Sequence, residues 1–266
     1  MFGNRMKTTA IPERVYALCR AVASKPVDDA VLKKSLEPQQ LGGKTQYYGD
    51  VKAAASELML INEKENNIYL AVDKSIVKSP DIMRQYINLN WEIQCDSLFY
   101  KVTQVYFDMD IEVLEHSSVS KMSDLMSTKI GVKVVEDDMR AWRFWIPFLG
   151  LGYLHEPQTK VAGIILPNTG IFIKDIIEGL KIKKNTEYTI DAFVSVIQPY
   201  ANIVLKNAFE TKKLNFGFSN GLRMLDELGV LIVEHRSDAQ EIWSLYPMSS
   251  DDEDDIVTHI TIGGVK

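Results

Sequence analysis

Three groups of residues in this 266-residue chain have types and spacings that chemistry could use. Gly42-Gly43-Lys44-Thr45 has the ending of a phosphate-binding loop, in which backbone N–H groups cradle an anion and the lysine neutralises it. The full motif needs another glycine five positions before Gly43. Pro38 stands there instead, without an N–H, beside the anionic Glu37, and no apolar strand precedes it. The segment reads as a turn. Asp108, Glu112 and Glu115 fall at i, i+4 and i+7, which is one face of a helix, with Asp110 close by, and Mg2+ sites use one or two carboxylates plus water. No lysine stands at the spacing a metal-dependent nuclease would need, so these acids read as a solvated helix end. His116, His155, His235 and His259 are scattered, and neither a Gly-x-Ser-x-Gly nor a His-Glu-x-x-His occurs. The expectation is a protein that is not an enzyme and uses no metal or cofactor.

The elements that would position such groups are many and short. With 46% hydrophobic residues, 15 Gly and 9 Pro, the chain is globular, and its length suits two domains or three small ones. The 36 acidic and 30 basic residues give a net charge of −6, which excludes a polycation that coats nucleic acid. Cys19 and Cys95 cannot form a disulfide framework, and both sit among apolar neighbours, so they read as buried thiols of a cytoplasmic protein. Met1 to Lys7 lack the apolar core of a signal peptide, and no run approaches the roughly 18 apolar residues of a membrane span.

A short pattern occurs three times. Leu58-Met59-Leu60-Ile61 leads through a polar turn, Asn62 to Asn67, into Ile68-Tyr69-Leu70-Ala71-Val72. Leu149-Gly150-Leu151-Gly152-Tyr153-Leu154 leads to Val161-Ala162-Gly163-Ile164-Ile165-Leu166, and Leu225 to Leu231 leads through Glu234 to Asp238 into Ile242-Trp243-Ser244-Leu245-Tyr246. Each copy reads as a helix followed by a β-hairpin, with glycine in the left-handed position that stops the helix in two copies and Leu-Met-Leu, without that glycine, in the first. Helical spacing precedes each hairpin. In the first unit Val15, Leu18, Cys19 and Val22 share a face, Asp28 or Asp29 caps a second helix, and Tyr47 to Leu60 turns Val51, Ala54, Ala55, Leu58 and Met59 inward. In the second unit the helices are Leu98 to Met109, Ser120 to Met126 and Glu136 to Phe148. In the third they are Ile190 to Ile197, Ala201 to Phe209 and Ser219 to Leu228, the last capped by Ser219 or Asn220. Pro80 to Ile93 and Ile171 to Leu180 read as connecting helices.

Three helices followed by a two-stranded hairpin resemble the winged-helix domain, a helix-turn-helix variant, and the likeness covers most of the chain. The expected fold is mainly α with short β-hairpins (α+β). It has unit 1 at 1–78, a linker helix plus unit 2 at 79–170, unit 3 at 171–248 and an acidic C-terminal tail at 249–266. The resemblance implies that the third helix of a unit enters a DNA groove while its wing touches backbone. Residue types suited to that role are Lys44, Gln46, Tyr47 and Lys52 in unit 1, and Lys212, Lys213, Asn215, Asn220, Arg223 and Arg236 in unit 3. In unit 2, Glu136, Asp137 and Asp138 would repel phosphate at the helix entry, and Trp142 and Trp145 suggest a protein contact.

Asp251, Asp252, Glu253, Asp254 and Asp255 read as an acidic spacer, followed by an alternating stretch in which Ile260 and Ile262 would dock on a partner's sheet edge. The expected function is a non-enzymatic accessory or scaffold subunit of a DNA-handling complex. It would contact other protein subunits and double-stranded DNA but no membrane, and homo-oligomers fit the same pattern. The alternatives are a sequence-specific transcription regulator and a metal- or nucleotide-dependent nucleic-acid enzyme.

Overall fold

The computed structural model describes residues 3–38, 46–116, 118–155, 164–248 and 255–263. Helix α1 (Pro12–Ala21) opens on a proline, whose missing N–H a first turn does not need, and buries Val15, Leu18 and Cys19. Strand β1 (Val27–Asp28) runs straight into α2 (Asp29–Leu36), because the Asp28 carboxylate accepts from the Ala30 and Val31 N–H groups at 3.1 Å each. Helix α3 (Tyr48–Glu57) buries Tyr48, Val51, Ala54 and Ala55. Met59 then takes the left-handed conformation, φ 53°, where the other two copies have glycine, and its side chain is 42% exposed rather than turned inward. Strands β2 (Ile61–Lys64) and β3 (Asn67–Leu70) are joined by Glu65 and Asn66, both at positive φ, the signature of a type I′ turn. These strands form an antiparallel sheet in the order β1-β3-β2.

Helix α4 (Pro80–Asn88), capped by the Ser79 hydroxyl, leads through a 3-10 turn at Trp91–Gln94 to α5 (Leu98–Asp108). Cys95 follows the 3-10 turn and is exposed, so only Cys19 is a buried thiol, with burial pushing its pKa up to about 12. Helix α5 ends at Asp108. Asp110 has φ 50° and begins a separate 3-10 turn, Asp110–Glu115, so the single helical face expected to carry Asp108, Glu112 and Glu115 does not form. Helix α6 (Val119–Ile130) is capped by Ser118, earlier than expected, and stops at Gly131, φ 77°. Helix α7 (Glu136–Phe148) is followed by left-handed Gly150 and by the antiparallel pair β4 (Gly152–His155) and β5 (Ile164–Pro167). Asp138 is fully buried in the first turn of α7 and accepts from the Val135 N–H at 3.0 Å and the Met6 N–H at 2.7 Å, tying the N-terminal segment to this helix.

The last third departs most from the sequence reading. Its elements are α8 (Gly170–Gly179), β6 (Glu187–Thr189), α9 (Ile190–Ala201), α10 (Ala208–Thr211), α11 (Phe216–Glu227), β7 (Leu231–Glu234), β8 (Trp243–Ser244), β9 (Ile256–Val257) and β10 (His259–Ile262). Strand β7 does not pair with the Ile242–Tyr246 stretch. It pairs with β10, which inserts between β6 and β7, while β8 pairs with β9. The physical reason is burial: Val257, Ile260 and Ile262 are at most 2% exposed, so the alternating stretch has its sheet inside this chain. Residues 256–262 are therefore not a tail. The Asn215 side chain caps α11 by accepting from the Phe218 N–H at 2.9 Å, which moves the helix start ahead of Ser219 and Asn220. Helix α8 precedes β6 as α1 precedes β1, and in both three-stranded sheets the last strand lies in the middle, but the last third adds the short helix α10 and the β8–β9 pair to the elements described in the first.

The fold is thus mixed α+β with small antiparallel sheets. The apolar core is continuous across positions 78/79 and 170/171. Among the described residues no helix is long and apolar enough to cross a membrane.

Helix α11 packs on α8 and β5 at close range. A methyl group on Gly217 would lie 2.4 Å from a Phe107 ring carbon, and one on Gly221 would lie 2.7 Å from the Gly170 nitrogen and 2.8 Å from the Thr169 carbonyl carbon. Side chains can shift, but backbone resists. Gly221→Ala is expected to lower the unfolding free energy in urea by about 2–3 kcal/mol through overpacking. Gly49→Ala, on α3 with nothing within 4 Å, is expected to raise it by about 0.5–1 kcal/mol.

Candidate functional site

In the first unit, Lys44 lies outside the described residues, and Gln46 is exposed just before α3. The Tyr47 hydroxyl donates to the Leu36 carbonyl at 2.5 Å, and the Arg14 guanidinium lies 4.2 Å from the centre of its ring. Lys52 bridges Asp29 at 2.8 Å and Glu63 at 2.9 Å, joining α3 to α2 and β2. What α3 exposes is Gly49, Ala53 and Ser56, and the turn beyond it exposes Glu63, Lys64 and Glu65. These are poor partners for phosphate, because two of the three charges in the turn are negative.

The third unit repeats the outcome with different partners. Lys212 meets both Asp191 oxygens, at 2.6 and 2.8 Å, and its ammonium stands 4.9 Å from the Trp243 ring centre. Arg223 donates to Asp255 at 2.6 Å and to the Tyr246 carbonyl at 2.9 Å. Arg236 meets Glu187 at 2.5 Å and Glu234 at 3.0 Å. The Asn215 amide donates to the Val204 carbonyl at 2.5 Å, and Asn220 donates to the Pro167 carbonyl at 3.3 Å. Lys213 remains exposed and makes no ion pair with a described residue. Helix α11 itself is buried through Phe216, Phe218, Leu222 and Leu225, and its exposed end carries Asp226 and Glu227. The face of this helix that α8 and β5 cover is closed to a DNA groove.

The residues expected to touch protein also move. Trp142 and Trp145 are at most 1% exposed, and their indole N–H groups donate to Thr103 Oγ1 at 3.0 Å and the Ala10 carbonyl at 2.9 Å. They are core residues of this chain, as are Ile260 and Ile262. Asp251, Asp252, Glu253 and Asp254 lie outside the described residues, and Asp255 is the partner of Arg223. Apolar side chains do reach solvent near by: Phe144 on α7, and Tyr153 opposite Leu166 on β4 and β5.

One concavity stands out that the sequence reading did not assemble. A cleft of about 780 Å3 opens where α5, α10, the start of α11 and the β8–β9 strands meet. Leu205, Leu214 and Leu245 line it with Tyr246; Asp108, Asp110 and Asp255 bring carboxylates, and Lys206 and Lys213 bring cations. Burial holds the Asp108 and Asp110 carboxyls above the usual aspartate range, opposed by Lys206 for Asp108 and by the Phe216 N–H for Asp110. The only local signal is the closeness of Asp108 and Asp110. Leu205, Tyr246 and Asp255 reach the cleft from three other segments, which no spacing rule connects. Among the described residues no three His, Cys, Asp or Glu side chains converge as a metal site would require.

Comparison of the chain with protein-family models, with curated proteins and with solved structures finds no match.

Proposed function

We infer that this chain is a tandem winged-helix protein that serves, without catalysis, as an accessory or scaffold subunit of a DNA-handling complex, and that it works through contacts with protein. The shared sheet arrangement, a helix-preceded first strand on one edge and the last strand central, supports the winged-helix reading of the first and last thirds. The helix–helix–helix–hairpin run from α5 to β5 supports it for the middle, and the link to DNA handling follows from the architecture by analogy.

One observation carries the preference for protein over direct DNA readout. Lys52, Lys212, Arg223 and Arg236 are each held by a carboxylate of this same chain, so freeing any of them for phosphate would break an internal pair. DNA affinity depends on cations that neutralise phosphates, and little such charge is left on these faces.

Fluorescence anisotropy of a labelled 30-base-pair duplex tests the reading. At about 50 mM salt no saturable binding is expected up to about 10 µM protein, a range in which ordinary non-specific binders already respond. Sub-micromolar binding that weakens steeply with salt would overturn it in favour of a transcription regulator.

A further inference from the structure

Strand β6 is an edge of its sheet, and its outward backbone is open. The Ile262 N–H donates to the Thr186 carbonyl at 3.1 Å and the Ile190 N–H to the Thr258 carbonyl at 2.8 Å, so residues 186, 188 and 190 face β10. Alternation turns Glu187 and Thr189 the other way. Both are exposed, and the Glu187 N–H and carbonyl and the Thr189 N–H make no hydrogen bond to a described residue. Other edges are guarded. Pro26, just before β1, has no N–H to offer, and on β7 the Val233 N–H is taken by Asp226 at 3.1 Å.

The turn that leads into β6 carries charge that no described residue balances. Lys181, Lys183 and Lys184 are exposed and make no ion pair with a described residue. The nearest acids along the chain are already engaged, Glu178 by Lys174 at 3.8 Å and Glu187 by Arg236 at 2.5 Å. Lys181 and Asn185 are both left-handed, φ 53° and 55°, and bound the turn. The Ile182 N–H donates to the Ile177 carbonyl at 3.0 Å, and the Asn185 N–H donates to the Ile262 carbonyl at 2.8 Å. The turn is thereby pinned to the end of α8 and to the central strand, with its cations at the entry of the open edge.

We propose that this edge and its basic entry together form a docking site for an extended acidic segment of a partner protein. The segment adds as a fourth strand outside β6 and places carboxylates on Lys183 and Lys184. Each observation selects one property of the occupant. Free main-chain groups at a sheet edge recognise a strand, and uncompensated ammonium groups recognise anions. A nucleic acid satisfies the second and not the first, because it has no peptide backbone with which to continue a sheet. The inference rests on the reading that this chain works through protein contacts.

Fluorescence anisotropy of the full chain with three labelled peptides tests it: Ac-Thr-Val-Asp-Val-Glu-Val-Asp-NH2, the same peptide with Asn and Gln in place of its acids, and the acidic peptide with every backbone amide N-methylated. The acidic peptide is expected to bind about tenfold or more tightly than either control. Lys183→Gln with Lys184→Gln is expected to weaken it about tenfold and to leave the neutral peptide unchanged. Glu187→Pro deletes an outward N–H where an edge strand tolerates proline, and it should weaken the acidic peptide about tenfold with an unchanged circular-dichroism melt. Glu187→Gln keeps that N–H and should not weaken binding. Equal binding of the acidic peptide and either control, no saturable signal, or no effect of the lysine replacements overturns the proposal. The duplex experiment separates this site from the scaffold reading. If the duplex binds and the lysine replacements abolish that binding, the cluster is a DNA contact and both fall. If it binds regardless of them while the acidic peptide still depends on them, the scaffold reading falls and the docking edge remains. If neither duplex nor acidic peptide binds, the docking edge alone falls.

Discussion

A chain ending at Met248 is expected to lose the folded state of its last third. Strand β10 is the middle strand of its sheet, pairing with β6 on one side and β7 on the other, so its removal leaves two strands with no partner. It also takes away Val257, Ile260 and Ile262, whose side chains are at most 2% exposed and whose burial is worth about 1.5–3 kcal/mol each. That loss is comparable to the whole stability of an ordinary domain, about 5–15 kcal/mol. Hydrogen exchange followed by mass spectrometry should show β6, β7, α9 and α11 unprotected in the truncated chain while α1 to α3 stay protected. A truncated chain with the exchange pattern of the full one would contradict the sheet order. Had these residues been a docking tail, the deletion would have cost a partner and nothing else.

The second large effect centres on Asp175, which is 3% exposed on α8. Arg84, on α4, meets it with two hydrogen bonds, at 2.7 and 3.1 Å, and Asn88 adds a third at 2.9 Å while also donating to the Leu149 carbonyl at 3.0 Å. Arg84→Met removes the cation and leaves a buried carboxylate uncompensated, which costs about 3–5 kcal/mol. The paired change, Arg84→Met with Asp175→Leu, removes both charges and is expected to recover most of that loss. Urea unfolding measures both, and a double variant as unstable as the single one would show that packing rather than charge dominates.

The pH dependence has a definite sign. Burial is the largest influence on Asp175 and holds its carboxyl above the usual aspartate range, against the pull of Arg84 and Asn88. A native pKa raised in this way contributes stability that is fully present below the unfolded value and is lost as pH rises through the native one. Removing Arg84 enlarges the raise, so the single variant should be destabilised less at pH 4 than at pH 7.

How much of this can be read from the sequence depends on sequence distance. Pro80 at a first turn, Asp28 as a cap, Gly150 as a helix stop and the two-residue turn at Glu65-Asn66 are local, and each stands where its chemistry puts it. Met59 reaches the left-handed position without being glycine, because the strand that follows needs the same stop. The misplaced assignments are nonlocal. Strand β7 has a nearby apolar stretch at Trp243 and a remote one at Ile260, and only burial in three dimensions decides for the remote one. Lys212, Arg223 and Arg236 look free in the sequence because their carboxylates, Asp191, Asp255 and Glu187, lie 21, 32 and 49 residues away. Trp142 and Trp145 have the composition of an interface and the surroundings of a core, and helical spacing alone does not distinguish these.

The two three-stranded sheets share an order but differ in how soon their centre arrives. In the first, two residues, Glu65 and Asn66, separate the edge strand β2 from the central β3. In the second, residues 235–258 intervene between β7 and β10. Closing the longer loop costs about 2 kcal/mol more chain entropy, by the logarithmic dependence on length. The N-terminal ribbon can zip from its own turn on a microsecond scale, whereas the C-terminal ribbon has to hold a slot open for a distant segment, so contact order makes it the slower step of assembly.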